Sequence, residues 1–189
     1  MKTLIITAHP SSKGFTHQIA KNYKDGAEKS GREVAIMDLY SDEFKQDYLS
    51  FEEIKNIPAD SKRDKIQAKI KVADELIFIH PLWWWGMPAV MKNFVDQNIT
   101  AGFAYHYEGS FLPKGLLKGK TASVFITCDG PAIFYKLFLS PFKIVWKYGI
   151  LKFCGVRVVK IRLFDQMRKR NDNIKDKWLK EVYQLALRK

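Results

Sequence analysis

The chain has 189 residues, 47% hydrophobic and 28% charged, a length that suits one domain with one core, and no linker-like, low-complexity or repeated stretch divides it. The amino-terminal MKTLIITAHP has too short an apolar run for a signal sequence, and the most apolar segment, residues 134–153, is interrupted by Lys136, Lys143, Lys147 and Lys152, so neither a secreted nor a membrane-spanning protein is expected. A formal net charge of +12 invites a nucleic-acid reading, but the basic residues are spread and interleaved with acids, the densest run Arg168-Lys169-Arg170 lying near Asp165 and Asp172; no nucleic-acid partner is expected, and the charge reads as a solvated surface that attracts small anions.

In chain order, residues 2–7 are a near-continuous apolar run, the pattern of a strand buried on both faces. Residues 8–15, AHPSSKGF, are a loop of turn formers, after which Thr16 is placed to cap a helix through Ala20, Tyr23 and Ala27 that Gly31 stops. Residues 33–39 read as a second strand, 40–58 as a polar, acidic and aromatic connection, 61–73 as a helix carrying Ile66, Ile70 and Ala73, and 75–80 as a third strand. Three adjacent tryptophans, Trp83, Trp84 and Trp85, precede Gly86 and Pro88, and Pro88 suits the first turn of a helix, where a missing N–H costs nothing. Residues 102–112, GFAYHYEGSFL, form an excursion or hairpin, and 121–127, TASVFIT, a fourth strand. Residues 133–153 are helical with a break near Ser140-Pro141, 156–164 form a fifth strand, and 173–187 close the chain as an amphipathic helix. Cys128 and Cys154 lie in apolar surroundings with neither metal-ligand spacing nor the density of a disulfide framework, so reduced thiols, a cytoplasmic location and no metal are expected.

Five strands alternating with helices make an open α/β sheet with right-handed crossovers. If the strand order is 2-1-3-4-5, the loops after strands one, three and four, at residues 8–16, 81–86 and 127–131, converge on one end of the sheet, where ligands bind in such folds. The first loop offers the hydroxyls of Ser11, Ser12 and Thr16, Lys13, close backbone approach at Gly14, and the N–H groups of the following helix, which together suit a phosphate; it lacks both the Walker and the GxGxxG patterns. A lone indole is more often core than ligand wall, but three in succession on a loop cannot all face inward, so at least one faces a ligand or a partner subunit. The third loop, TCDGP, combines a strand end with Gly130, and Tyr135 beyond it carries a hydroxyl that either donates to a ligand or is satisfied in the core.

These residues resemble the NAD(P)H:quinone oxidoreductase family of flavodoxin-like enzymes, which takes in small bacterial quinone reductases, ancillary subunits of potassium-efflux systems and general stress proteins. The resemblance rests on residues 8–20, 80–96 (HPLWWWGMPAVMKNFVD, the specific segment), 102–107, 126–131 and 150–155. It implies a three-layer sandwich with a five-stranded parallel sheet over a single domain, 1–189. It also implies bound FMN, with FAD the other choice, held by His9, Ser12, Gly14, Phe15 and Thr16 in the first loop, by Pro81, Leu82, Trp83, Trp84 and Trp85 in the second, and by Thr127, Cys128, Asp129 and Gly130 in the third, with Tyr135. Phe103, Tyr105 and Tyr107 match positions that line the substrate pocket, often across a dimer interface, so a homodimer is expected. Two positions depart from the family pattern: Asp129 stands where the third loop usually has Gly, and Pro141 where some members have a histidine that works with the tyrosine matched by Tyr135. Tyr135 is the catalytic candidate, with His106 or water as other proton sources.

The implied activity is two-electron hydride transfer from NAD(P)H through the flavin to a quinone or other small aromatic acceptor, with both substrates using one site in turn. Two rivals stand beside it. A one-electron flavodoxin-like carrier is usually strongly acidic, against the +12 here. A regulatory subunit docked on a membrane transporter would use the basic, apolar face of residues 134–153.

Overall fold

Runs of β-branched and aliphatic residues build the centre of the molecule, and the helices between them cover both of its faces. The computed structural model describes residues 1–52, 60–109, 113–137 and 140–188. Residues 53–58 of the expected 40–58 connection, 110–112 of the excursion, and 138 and 139 of the stretch at 133–153 lie outside the described residues. The chain runs β1 (Lys2–Thr7), α1 (Phe15–Lys29), β2 (Glu33–Asp38), α2 (Ser61–Val72), β3 (Glu75–Pro81) and α3 (Ala89–Asn98). A short antiparallel pair follows, β4 (Tyr105–His106) and β5 (Lys114–Gly115), and then β6 (Thr121–Thr127), α4 (Ala132–Leu137), α5 (Pro141–Ile144), a π-helical turn (Val145–Lys152), β7 (Arg157–Phe164) and α6 (Asp172–Leu187).

The main sheet is parallel throughout, in the order β2-β1-β3-β6-β7, which is 2-1-3-4-5 once the small β4–β5 pair is set aside. Its register pairs Thr7 with Ile79, Pro81 with Thr127, and Thr127 with Phe164. The carboxyl ends of β1, β3, β6 and β7 are therefore nearly level, and the loops leaving them share one edge of the sheet.

Alternation along the strands divides the core in two. Leu4, Ile6, Leu76, Phe78, Val124 and Ile126 face α2, α3 and the π-helical turn, meeting Ile66, Ile70, Met91, Phe94 and Trp146. Ile5, Ile77, Ile79 and Phe125 face α1 and α6, meeting Ile19, Tyr23, Trp178 and Val182. α1 and α6 pack closely at Gly26, where a Cβ would stand 2.4 Å from the Tyr183 carbonyl oxygen. At the opposite edge from the level strand ends, Arg32 and Glu75 form a buried ion pair at 2.7 Å. Tyr23 Oη (2.9 Å) and Thr3 Oγ1 (3.1 Å) donate to the same carboxylate, and the Arg32 guanidinium also donates to the Ala186 carbonyl, fastening the end of α6.

Helix starts follow local chemistry. Asp60 caps α2 by accepting from Lys62 N at 2.8 Å, and Asn171 caps α6 by accepting from Ile174 N at 3.1 Å. α1 differs from expectation: Thr16 lies inside the helix, and Gly14 is the N-cap, with no side chain satisfying the first turn. Pro88 is likewise an N-cap and not a first-turn residue. The expected break in residues 133–153 falls at Ser140, which has φ +46°, and the helix resumes at Pro141 before widening into the π-helical turn. Among the described residues no helix is long and apolar enough to cross a membrane.

Candidate functional site

A cleft of about 840 Å³ opens at the level strand ends, with walls from all three expected loops and from a fourth, after β7. In the first loop, Ala8 N donates to the Ile79 carbonyl at 3.0 Å, tying the loop to β3. His9 Nδ1 lies 3.1 Å from Ser11 N and 3.0 Å from the Ser11 carbonyl oxygen, so the ring is folded back onto its own loop. A Cβ on Gly14 would stand 2.6 Å from that Nδ1, so the loop closes around His9 only because position 14 has no side chain. The hydroxyls of Thr7 and Thr16 nearby are buried and have no hydrogen-bond partner among the described residues.

The second loop leaves β3 through Leu82, whose N–H donates to the Thr127 carbonyl at 2.7 Å. Trp83 and Gly86 exchange backbone hydrogen bonds of 3.0 and 2.9 Å around Trp84 (φ +50°) and Trp85 (φ +62°). Two consecutive left-handed residues between such a pair make a tight turn that usually carries Asn-Gly, so placing two indoles there costs local strain. Trp83 lines the cleft. Trp84 is 99% exposed and stands clear of it, and Trp85 leans on the Tyr135 ring at 4.9 Å between centroids.

The third loop is clamped to the fourth. Cys128 N donates to the Phe164 carbonyl and Met167 N to the Cys128 carbonyl, at 2.9 and 3.1 Å. Asp165 accepts from Ala132 N at 2.9 Å and pairs with Arg170 at 3.0 Å; burial opposes the charge, but these bonds and that of Gln166 hold the carboxyl below its ordinary range. Asp129 does not stand free beside the cleft: Arg168 pairs with it through Nε at 3.0 Å and donates its backbone N–H at 3.2 Å. Burial raises the Cys128 thiol to about 11, so it is a thiol at neutral pH, and it donates to the Gly130 carbonyl at 3.4 Å. Burial, then the neighbouring Cys128 and Asp129, also raises the Tyr135 hydroxyl, which remains a proton donor at neutral pH. A Cβ on Gly130 would stand 2.5 Å from Tyr135 Oη, so that glycine is what admits the tyrosine.

The structure thus brings His9, Phe15, Pro81, Leu82, Trp83, Thr127, Cys128, Asp129, Gly130 and Tyr135 to one cleft. Ser12, Gly14 and Thr16 do not line it: Ser12 is exposed, and Thr16 is buried in the first turn of α1. Phe103 lies in a separate depression with Arg63, Gln67 and Thr100, and Tyr105 packs on Tyr107 and Phe153, so this aromatic group is not part of the same chain's cleft. The fourth loop and α6 add Met167, Arg168, Asp172, Lys175 and Asp176, which carry no motif that marks them as site residues in the sequence. An uncapped helix start over two orphaned buried hydroxyls suits the phosphate end of a ligand, and a flat wall from Pro81 to Trp83 opposite a glycine loop suits a planar ring. These features fit a flavin.

A fold of this topology with this cleft defines a flavodoxin-like protein with a ligand site at the carboxyl ends of its strands. A family model described as flavodoxin-like fold matches residues 1–185. A Haemophilus influenzae protein named as an uncharacterized NAD(P)H oxidoreductase is 34% identical over all of this chain and 94% of its own length. The mouse ribosyldihydronicotinamide dehydrogenase [quinone] is 31% identical over 84% of this chain and 78% of its own length. The NAD(P)H:quinone oxidoreductase from Methanothermobacter marburgensis superposes with a TM-score of 0.86 at 25% identity, over 99% of this chain and 96% of that one. The chain belongs to the flavodoxin-like NAD(P)H:quinone oxidoreductase family, as an oxidoreductase of the NAD(P)H dehydrogenase (quinone) type.

Proposed function

We propose that the protein is a cytoplasmic, flavin-dependent NAD(P)H:quinone oxidoreductase working by two-electron, ping-pong transfer. The observation that carries this reading is the convergence of an uncapped helix start, an apolar wall and a glycine loop on one cleft. When bound, the flavin supplies the redox chemistry, taking hydride from NAD(P)H and passing two electrons to a quinone or similar small aromatic. The chain's own residues hold and orient the group. The start of α1, with Ser12, Thr16 and Lys13, receives the phosphate; Pro81, Leu82 and Trp83 form the ring's wall; and the backbone of Thr127, Cys128, Asp129 and Gly130 approaches its polar edge. Tyr135, on the cleft and protonated at neutral pH, would serve as a proton donor to the bound ring. Pairing with the exposed Arg168 offsets part of the charge of Asp129 and weakens its opposition to negative charge on a reduced ring.

FMN is the preferred occupant. A specific observation favours FAD as a second choice, because the cleft continues past the first loop to Met167, Arg168 and Lys175. Phe103, Tyr105 and Tyr107 face away from this cleft and would complete the acceptor pocket of a second copy. The exposed Ile133, Phe134, Leu137, Ile144, Val145 and Tyr148 supply an apolar surface for that homodimer, or for a transporter in the regulatory reading.

The test is an anaerobic titration of the protein loaded with FMN or FAD, first with NADPH or NADH and then with a quinone. Bleaching of the flavin followed by rapid recovery of the oxidised spectrum is the expected result, and chromatography of the released flavin distinguishes FMN from FAD. A preparation that binds neither flavin would sink the proposal, and one that binds but does not bleach would leave a carrier or a regulatory subunit.

A further inference from the structure

Behind the Pro81 wall lies a buried polar chain that takes no direct part in the proposed reaction. His80, the penultimate residue of β3, is completely buried, and the indole of Trp146 stacks on its ring with centroids 5.5 Å apart and planes 29° from parallel. Trp146 is itself buried in the π-helical turn and packs on Phe78 at 4.7 Å. Trp146 Nε1 lies 3.0 Å from His80 Nε2, and His80 Nδ1 lies 2.8 Å from the Pro81 carbonyl oxygen.

An indole nitrogen can only donate. His80 Nε2 must therefore be the bare nitrogen, its proton sits on Nδ1, and Nδ1–H donates to Pro81. Burial pushes His80 down to about 4, so the ring stays neutral at physiological pH and keeps this arrangement. The chain of donors runs from the π-helical turn through one imidazole to the carbonyl at the base of the cleft wall. The other end of that same peptide is held by β6, since Leu82 N donates to the Thr127 carbonyl. The same stretch reaches the other wall, because Phe142, at the start of α5, meets the Tyr135 ring edge-on at 6.0 Å. A π-helical turn is less favourable than continued α-helix and recurs beside functional sites; here the turn reaches one wall through Trp146 and His80, and α5 just before it reaches the other through Phe142.

We propose that His80 is a positioning residue for the ring-binding wall: relaying the Trp146 indole N–H to the Pro81 carbonyl, it sets the orientation of the Pro81–Leu82 peptide and so the flavin affinity of the cleft. The inference rests on the flavin reading above. A purely structural role predicts a loss of stability with no selective effect on the wall, and a positioning role predicts that the wall loosens beyond the loss of stability. His80→Leu fills similar volume but can neither accept from Trp146 nor donate to Pro81, whereas the carboxamide of His80→Gln can do both.

The experiment uses the full chain stripped of flavin. FMN binding is followed by quenching of flavin fluorescence, with FAD in parallel, and hydrogen exchange of the Leu82 and Trp83 amides is measured without any flavin. His80→Leu and Trp146→Phe should each raise the FMN dissociation constant tenfold or more and speed exchange at those two amides, with no added effect when combined. His80→Gln should return both readouts to within threefold of the natural protein. Ile70→Ala, a cavity in the core beneath α2, serves as the control for destabilisation alone and should leave both unchanged. An unaltered dissociation constant in His80→Leu, or a matching rise in Ile70→Ala at equal loss of stability, overturns the proposal. If the natural protein binds neither flavin, the flavin reading itself fails; if faster exchange at Leu82 and Trp83 is then also missing in His80→Leu, the positioning role fails independently.

Discussion

Trp84 offers a direct test of how the tryptophan turn is held. Its backbone is left-handed, at φ +50°, and its side chain is 99% exposed, so replacing the indole removes almost no packing within the chain. A left-handed conformation costs an ordinary L-residue roughly 1–2 kcal/mol, while asparagine, which bonds its own backbone, adopts it readily. Trp84→Asn should therefore stabilise the flavin-free protein by about 1 kcal/mol, which in a chain of this size raises the melting temperature by about 2–4 °C. Urea and thermal unfolding of the two proteins measure the difference. A loss of 1 kcal/mol or more would refute the reasoning, because it would mean that the indole is packed in solution against something a single chain does not supply. Repeating the melts over a dilution series would show whether that partner is a second copy. The same variant bears on the site, since a flavin affinity unchanged by Trp84→Asn leaves the ring wall to Pro81, Leu82 and Trp83.

Other outcomes follow from the buried polar groups. Arg32→Met removes the guanidinium that faces Glu75 and should cost about 3–5 kcal/mol in urea unfolding, whereas the Arg32→Met/Glu75→Leu double variant should recover most of it; a double variant weaker than either single one would contradict the ion-pair account. His80 has an ordinary value of 6.5, lowered to about 4 by burial, so the unfolded chain takes up its proton first as pH falls. Its contribution to stability should be complete above pH 6.5 and drain away by about 3 kcal/mol as pH drops toward 4. His80→Gln should flatten the pH dependence of the urea midpoint by one proton's worth, and identical slopes in the two proteins would count against the buried neutral imidazole.

The sheet was largely legible in the sequence because each strand is a dense apolar run with a turn former behind it. The expected strands at 2–7 and 121–127 coincide with β1 and β6, and the others differ by a residue at an end. Cap chemistry misled at Thr16, a good capping residue that the helix absorbed, because the close approach of His9 puts the N-cap at Gly14. The break at Ser140-Pro141 was readable from the proline, but the π-helical turn after it leaves no periodic signature in eight residues. The three loops could be brought together from strand order alone. The fourth could not, since Met167 to Asp176 is an unremarkable polar run until the pairing of Thr127 with Phe164 sets it beside the third loop. The same holds for Asp129, whose partner Arg168 is 39 residues away in sequence.

The ion pairs at the mouth of the cleft also decide how far the protein's charge reaches. Around the cleft Lys13, Arg168 and Lys175 stand among Asp129, Asp172 and Asp176, a mixed rim whose near field is that of a zwitterion. The formal charge of +12 belongs to the rest of the surface, where salt at physiological strength screens whatever lies beyond roughly 8–10 Å of the cleft. An anionic dinucleotide is thus drawn toward the molecule as a whole at low ionic strength, but once seated it meets no net attraction. Salt should slow its arrival and leave its hold on the cleft almost untouched.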